Sequence, residues 1–278
     1  MKLLCVIPTY WPAFQFGGPV FSVHALLKSL AEKGVSVTVY TTDTGLHHKA
    51  YEPQTVIDGV TVRYFRTWPL PRFVSATGWG FSSEMARCLK DTAGNFDAVY
   101  IVSVWNFSVA VAAYHCRAKK IPYILSPRGL LCSYALGKKA WKKWPYYQLV
   151  SRRDVESAAC VHYTSSDEQA CHAALRLKNP SAVVANGISF SELGSDIDRK
   201  EFFRQFPVLE GKRIILFLGR ITWKKGFDIL SEAFARLSHV YPDAVLVLAG
   251  NDESGYVETV RKMLGKKGVA EKVFFTGM

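Results

Sequence analysis

Short apolar runs rich in β-branched residues alternate with amphipathic stretches of helical period along this chain, and the alternation fades once and then restarts. Strands are expected at residues 3–8, 36–42, 60–66, 98–102, 123–126, 161–164 and 182–185. Helices fall between them at 20–33, 82–91, 109–118, 138–159 and 167–175. A strand that is followed by a helix returns to its sheet in parallel, so the order predicts a doubly wound α/β fold. Over residues 189–211 the periodicity gives way to polar and charged residues, with room for a short helix at 199–206. That stretch reads as a connection between domains. The pattern then resumes with strands at 213–219, 244–250 and 272–276 and helices at 227–240 and 255–266. The expected domains are 1–190, a linker at 191–211, and 212–278. Two domains also suit 278 residues, since single cores rarely grow past about 250. The second holds about two and a half strand–helix units, against the roughly five or six strands of a free-standing sheet, so it reads as unfinished.

Hydrophobic residues make up 49% and charged residues 21% of the chain, enough to fill cores and far from the composition of disorder. A net charge of +12 points to anionic partners: nucleotide phosphates, acidic lipid headgroups, nucleic acid or acidic glycans. No helix-turn-helix, RNP-like or zinc pattern is present, so nucleic acid is not the expected partner. The six cysteines are scattered with no C-x-x-C pair, which predicts unpaired thiols in a reducing cytoplasm and no metal site. The N-terminus lacks a signal-peptide core. Residues 98–114 are uncharged, but Ser103, Asn106 and Ser108 interrupt them, so they read as strand, turn and helix and not as a membrane span.

Two loops carry chemistry. Gly17-Gly18 lies between the first strand and first helix, where glycine permits close backbone approach and a helix N-terminus offers N–H groups to a phosphate or sugar hydroxyl; a plain tight turn is an equal alternative. It is not a G-x-G-x-x-G, which counts against a dinucleotide oxidoreductase. The second loop closes a strand at Phe217-Leu218-Gly219-Arg220 and opens a helix at Lys224-Lys225-Gly226, with Asp228 following. A forked guanidinium and an ammonium at the carboxyl edge of a parallel sheet suit a pyrophosphate, and the alternative is a solvated basic loop.

The segment FLGRITWKKGFDILSEAFARLSHVYPDAVLVLAG, residues 217–250, resembles the donor-domain signature of the family-four retaining glycosyltransferases, which have the GT-B fold. Gly17-Gly18, SPRGLLCSYALGKKAWKKWPYY at 126–147 and Asn186-Gly187-Ile188 resemble further segments of that family, in family order. The resemblance implies two Rossmann-like parallel-sheet domains facing a cleft, acceptor side first and nucleotide-sugar donor side second. It implies that Arg220 and Lys225 grip the donor diphosphate, that Gly17 and Gly18 approach it from the other domain, and that Gly250 and Gly277 face the nucleoside. Fixed cations aimed at the leaving diphosphate stabilise the charge that grows as the glycosidic bond breaks, so no metal or other cofactor is expected.

This sequence has Arg128 where many family members have a histidine that contacts the donor sugar. Arg128 is the residue assigned to catalysis, by binding acceptor or donor oxygens and not as a base. The family's Glu-x7-Glu element would lie beyond Met278. The expected activity is therefore that of a hexosyltransferase moving sugar from a nucleoside-diphosphate donor to a glycan or lipid-linked acceptor with retention, in bacterial surface polysaccharide synthesis. The alternative is a truncated, inactive nucleotide-sugar-binding remnant. Around residues 136–153, Lys138, Lys139, Lys142, Lys143, Arg152 and Arg153 mix with Trp141, Trp144, Tyr146 and Tyr147. This reads either as a docking surface for the anionic inner face of the plasma membrane or as an ordinary solvated helix with its aromatics in the core. The seven histidines do not cluster; His24, His115 and the His47-His48 pair are assigned packing or surface roles.

Overall fold

Leu4, Cys5 and Val6 are buried completely, as a strand covered on both faces in a parallel sheet requires. They belong to β1 (Lys2–Val6), near the middle of an eight-stranded sheet in a computed structural model that describes residues 1–46, 52–68, 80–137, 140–187, 198–252 and 255–277. The other strands of this sheet are β2 (Ser36–Thr42), β3 (Gln54–Ile57), β4 (Val60–Phe65), β5 (Ala98–Val102), β6 (Tyr123–Ser126), β7 (Cys160–Tyr163) and β8 (Ser181–Val183). Their order is β3-β4-β2-β1-β5-β6-β7-β8, and every pairing is parallel except β3 with β4. Helices α1 (Gly18–Glu32), α2 (Ser83–Thr92), α3 (Phe107–Lys119), α4 (Ser133–Gly137), α5 (Ala140–Tyr146), α6 (Arg152–Glu156) and α7 (Ser166–Ala174) form the crossovers. One core gathers Val23 and Leu27 of α1 against β1, β2 and β4; the other gathers α2 and α3 against β1, β5, β6 and β7.

Three readings of the sequence change here. β3 was not expected; it forms a hairpin with β4 through Asp58 (φ 49°) and Gly59 (φ 77°), the Asp-Gly pair that a two-residue turn with both φ positive favours. The helix expected at 138–159 breaks into α5, a π turn (Tyr147–Ser151) and α6. Pro145 inside α5 has no N–H to give, and the winding relaxes directly after it, with the Arg152 N–H reaching the Tyr147 carbonyl five residues back. The six cysteines are not all unpaired: Cys132 and Cys171, 39 residues apart with Cα atoms 5.2 Å from each other, form a disulfide, while Cys5, Cys88, Cys116 and Cys160 are free.

The chain divides into two compact units between Glu192 and Leu193. The second contains the parallel sheet β11-β10-β9, built from β9 (Arg213–Leu218), β10 (Ala244–Ala249) and β11 (Val273–Gly277). Helices α9 (Phe227–Val240) and α10 (Tyr256–Lys266) cover the face that carries Leu246 and Leu248. Val245 and Val247, on the opposite face, meet Phe202, Phe203 and Phe206 from α8 (Arg199–Gln205) and its C-terminal cap. Much of the stretch read as a connection is therefore core of the second unit: Asp198 caps α8 by accepting from the Lys200 N–H at 2.8 Å, and the charged residues around the three phenylalanines face outward.

Candidate functional site

In the first unit the chain leaves β1 for β2 on one side and reaches β5 on the other, so the carboxyl ends of β1 and β5 diverge and leave a crevice. A cavity of about 380 Å³ lies there, walled by Ile7, Pro8 and Thr9 after β1, by Ser103 and Asn106 after β5, and by Ser108 and Arg128. Gly17, with φ 77° and ψ −146°, turns the chain into α1, a conformation that favours glycine. Its neighbours Phe16 and Pro19 line the cavity, and a Cβ on Gly18 would meet nothing within 4 Å. The plain-turn reading thus explains Gly17 but not Gly18, which borders open space. Both α1 and α3 begin beside the cavity, which Pro19, Asn106 and Ser108 line. Ser108, in the first turn of α3, is 1% exposed and its hydroxyl has no hydrogen-bond partner.

Arg128 stands on the loop after β6 with φ 53°, its guanidinium held by side chains of β5 and of the segment after β8. Its Nη1 donates to Asn186 Oδ1 at 2.6 Å and its Nη2 to the Tyr100 hydroxyl at 2.9 Å. That hydroxyl is 2.9 Å from His162 Nδ1, and His162 Nε2 is 2.9 Å from the Val184 carbonyl. A carbonyl only accepts, so Nε2 carries the proton, Nδ1 accepts from Tyr100, and the tyrosine oxygen is left to accept from Arg128. Burial, assisted by the positive field of Arg128, lowers the His162 pKa below the usual 6.5 and keeps the ring neutral. Burial likewise raises the Tyr100 pKa and preserves its proton. The Nε of Arg128 is buried without a hydrogen-bond partner, and the residue itself forms part of the cavity wall. Glu168 braces the same loop: it accepts from the Gly129 N–H and from the Thr164 N–H and hydroxyl at 2.8 and 2.9 Å. The Cys132–Cys171 disulfide ties the loop to α7 a second time.

Tyr100, His162 and Glu168 were not singled out from sequence, and Ser108 was noted only as a polar interruption of residues 98–114. Tyr100 and His162 sit in strands whose neighbours are core residues, and only the β5-β6-β7 order brings them to Arg128. Ser165 with Glu168 does carry the spacing of a capping box, and Ser165 Oγ accepts from the Glu168 N–H at 3.2 Å. The carboxylate, however, is directed to Thr164 and Gly129.

In the second unit the carboxyl ends of all three strands are knitted together by glycine. Gly219 and Gly250 have φ of 150° and 144°, and a Cβ on Gly250 would lie 2.0 Å from the Gly219 carbonyl oxygen. The Gly250 N–H donates to the Gly277 carbonyl at 2.7 Å. Arg220 leaves β9 at this edge, and Lys225 closes the single turn Trp223–Lys225 before Gly226, whose φ of 67° starts α9. Both cations are exposed. The structure therefore gathers Arg220, Lys225, Gly250 and Gly277 at one sheet edge beside a helix N-terminus, and Arg128, Gly17 and Gly18 around the cavity of the first unit. Among the described residues no group of three or more His, Cys, Asp or Glu stands where it could hold a metal ion, and no helix is long and apolar enough to cross a membrane.

Residues 17–187 match the glycosyl transferase 4-like domain, and residues 198–278 match the glycosyl transferases group 1 domain. The chain belongs to the glycosyl transferase 4-like family. An uncharacterized glycosyltransferase of Methanocaldococcus jannaschii is 27% identical to it over 288 aligned residues, covering 100% of this chain and 69% of that protein. A GDP-mannose-dependent alpha-(1-6)-phosphatidylinositol monomannoside mannosyltransferase of Mycolicibacterium smegmatis is 28% identical over 49% of this chain and 35% of its own length. The crystal structure of Anabaena HepE in complex with UDP and glucose superposes with a TM-score of 0.69 at 16% identity, over 100% of this chain and 69% of that one. This family member shares that fold, with two Rossmann-like parallel-sheet units of the GT-B class, the second sheet the smaller.

Proposed function

We propose that this glycosyltransferase moves a hexose from a nucleoside-diphosphate sugar to a glycan or lipid-linked acceptor with retention, in the assembly of surface polysaccharide on the cytoplasmic side of the plasma membrane. The observation that carries the reading is the β9–α9 loop, where Arg220 and Lys225 frame the N-terminus of α9 at a glycine-lined sheet edge. A leaving diphosphate gains negative charge as the glycosidic bond breaks, and two fixed cations beside free helix N–H groups answer that charge without a metal ion. Gly250 and Gly277 keep the neighbouring strand ends free of side chains, giving a nucleoside room to approach the backbone. In the first unit, Arg128 lines the cavity beside the starts of α1 and α3 and offers its positive charge to sugar oxygens; a guanidinium orients and stabilises but does not remove a proton. Two relatives support the donor class: HepE was crystallised with UDP and glucose, and the mycobacterial mannosyltransferase is GDP-mannose-dependent. The phosphatidylinositol monomannoside in the latter's name supports the lipid-linked class.

Calorimetric titration with UDP and with GDP tests the site. Arg220→Ala and Lys225→Ala are each expected to weaken the better nucleotide roughly tenfold or more, because each removes a charge-assisted contact from a phosphate, while the circular dichroism spectrum stays unchanged. Unchanged affinity in both variants removes the assignment.

A further inference from the structure

The helical stretch at residues 140–156 turns its largest apolar side chains outward. Trp141 is 75% and Leu149 80% exposed, and Trp144 is exposed with them; Tyr147, Ser151, Asp154 and Val155 form the buried side. Of the two readings open for this segment, aromatics in the core holds for Tyr147 and in part for Tyr146, whose hydroxyl is buried, but not for Trp141 or Trp144. The spacing of residues 141, 144 and 149, together with the wider π turn, keeps the three on one side of the helix. Water-facing tryptophan at two positions plus leucine is costly to leave hydrated and calls for a cover.

The charges beside this stripe say which cover. Residues 133–156 contain six Lys and Arg against two acidic residues. Asp154 points inward to Arg117, and Glu156 is paired with Arg152 at 2.8 Å, so no unpaired carboxylate stands on the outer side of this segment. Lys142 Nζ lies 4.7 Å from the Trp141 ring, so a cation flanks the outward-facing aromatics, whereas Lys143 donates to the Ala135 carbonyl. A second copy of a chain with net charge +12 would set lysine against lysine. A surface that takes tryptophan and leucine into a shallow apolar layer and cations into an anionic one is a bilayer with acidic headgroups.

We propose that residues 140–156 are a docking face for an anionic lipid bilayer, with Trp141, Trp144 and Leu149 entering the headgroup–acyl boundary and Lys142 and Arg153 meeting lipid phosphates. The face lies outside the residues assigned to the donor, and its binding is measured without donor or acceptor, so it stands or fails separately from the transferase reading.

Co-sedimentation of the 278-residue chain with vesicles of phosphatidylcholine alone, and of phosphatidylcholine mixed with phosphatidylglycerol, decides it. The chain is expected on the mixed vesicles, less so as salt rises, and weakly on the neutral ones. Lys142→Gln and Arg153→Gln should each lower partition roughly fivefold. Trp141→Ala with Leu149→Ala should lower it about tenfold or more. All these variants should keep the parent's circular dichroism spectrum and nucleotide affinity. Absence of vesicle binding, equal binding to both vesicle types, or variants that bind like the parent would overturn the proposal. So would a dimer, in sedimentation velocity, that Trp141→Ala dissolves while vesicle binding is absent, since the stripe would then be covered by a second copy.

Discussion

The chain of hydrogen bonds Arg128–Tyr100–His162–Val184 has one direction only while His162 is neutral. A proton on Nδ1 would remove the acceptor for Tyr100 and set a second positive charge near Arg128. Folding lowers the His162 pKa, so below the usual 6.5 the unfolded chain binds the proton more readily than the folded one. The stability contributed by the neutral ring is therefore fully present above about pH 6.5 and is lost as the pH falls beneath it. His115 and His172 are lowered in the same sense, burial being the first cause in each. Asp154 acts oppositely: burial raises its pKa to about 6, so its ionisation costs stability above that value and its protonation relieves the cost below. Comparing His162→Gln with the parent isolates the one ring. The parent is expected to lose more stability than His162→Gln between pH 7.5 and 5.5 in urea denaturation, and equal losses would show that His162 does not titrate in that window.

At the scale of elements, the strand–helix order was legible because apolar runs and helical periods are local properties of the chain. What was missed was either short or non-local. β3 is four residues long and half-buried, and its one signal, Asp58-Gly59, sits just before the run read as a strand at 60–66. Phe202, Phe203 and Phe206 stand among Arg199, Lys200, Glu201 and Arg204, and the charges hid a core face. Gly17 and Gly18 were singled out through their loop and Arg128 through the family resemblance, but the groups that hold Arg128 come from β5, β7 and the segment after β8, whose neighbours in the sheet no single-sequence pattern states. The Cys132–Cys171 link is of the same kind, joining residues 39 apart. It secures the Arg128 loop to α7 and closes a loop whose constraint on the unfolded chain amounts to about 4 kcal/mol. Cys132→Ser is accordingly expected to destabilise the first unit by up to about that amount without reductant. Under dithiothreitol the variant and parent should converge, and a difference that persists in reductant would assign the loss to packing of the serine instead.

Over the whole molecule, two features oppose each other: a surplus of positive charge and apolar surface left in water. The charge of +12 keeps copies apart at low ionic strength and draws in anions. Against it, β9 pairs only with β10 among the described residues, so its other edge offers unpaired backbone groups, and Leu216 and Leu218 are 59% and 79% exposed along it. An open strand edge carrying exposed leucines is a template for a second copy, and natural edges are usually blunted by lysine, proline or a bulge, none of which β9 has in its interior. Repulsion between like-charged copies falls as salt shortens the Debye length to about 8 Å at 0.15 M and about 3 Å at 1 M, while the attraction of apolar edges persists. Association is therefore expected to grow with salt, opposite to binding through the charges of residues 140–156. Leu216→Lys with Leu218→Lys should hold the chain monomeric in light scattering from 0.05 to 1 M salt, with little change in stability because both side chains already face water. A parent chain that stays monomeric at 1 M salt would show that this edge is already protected.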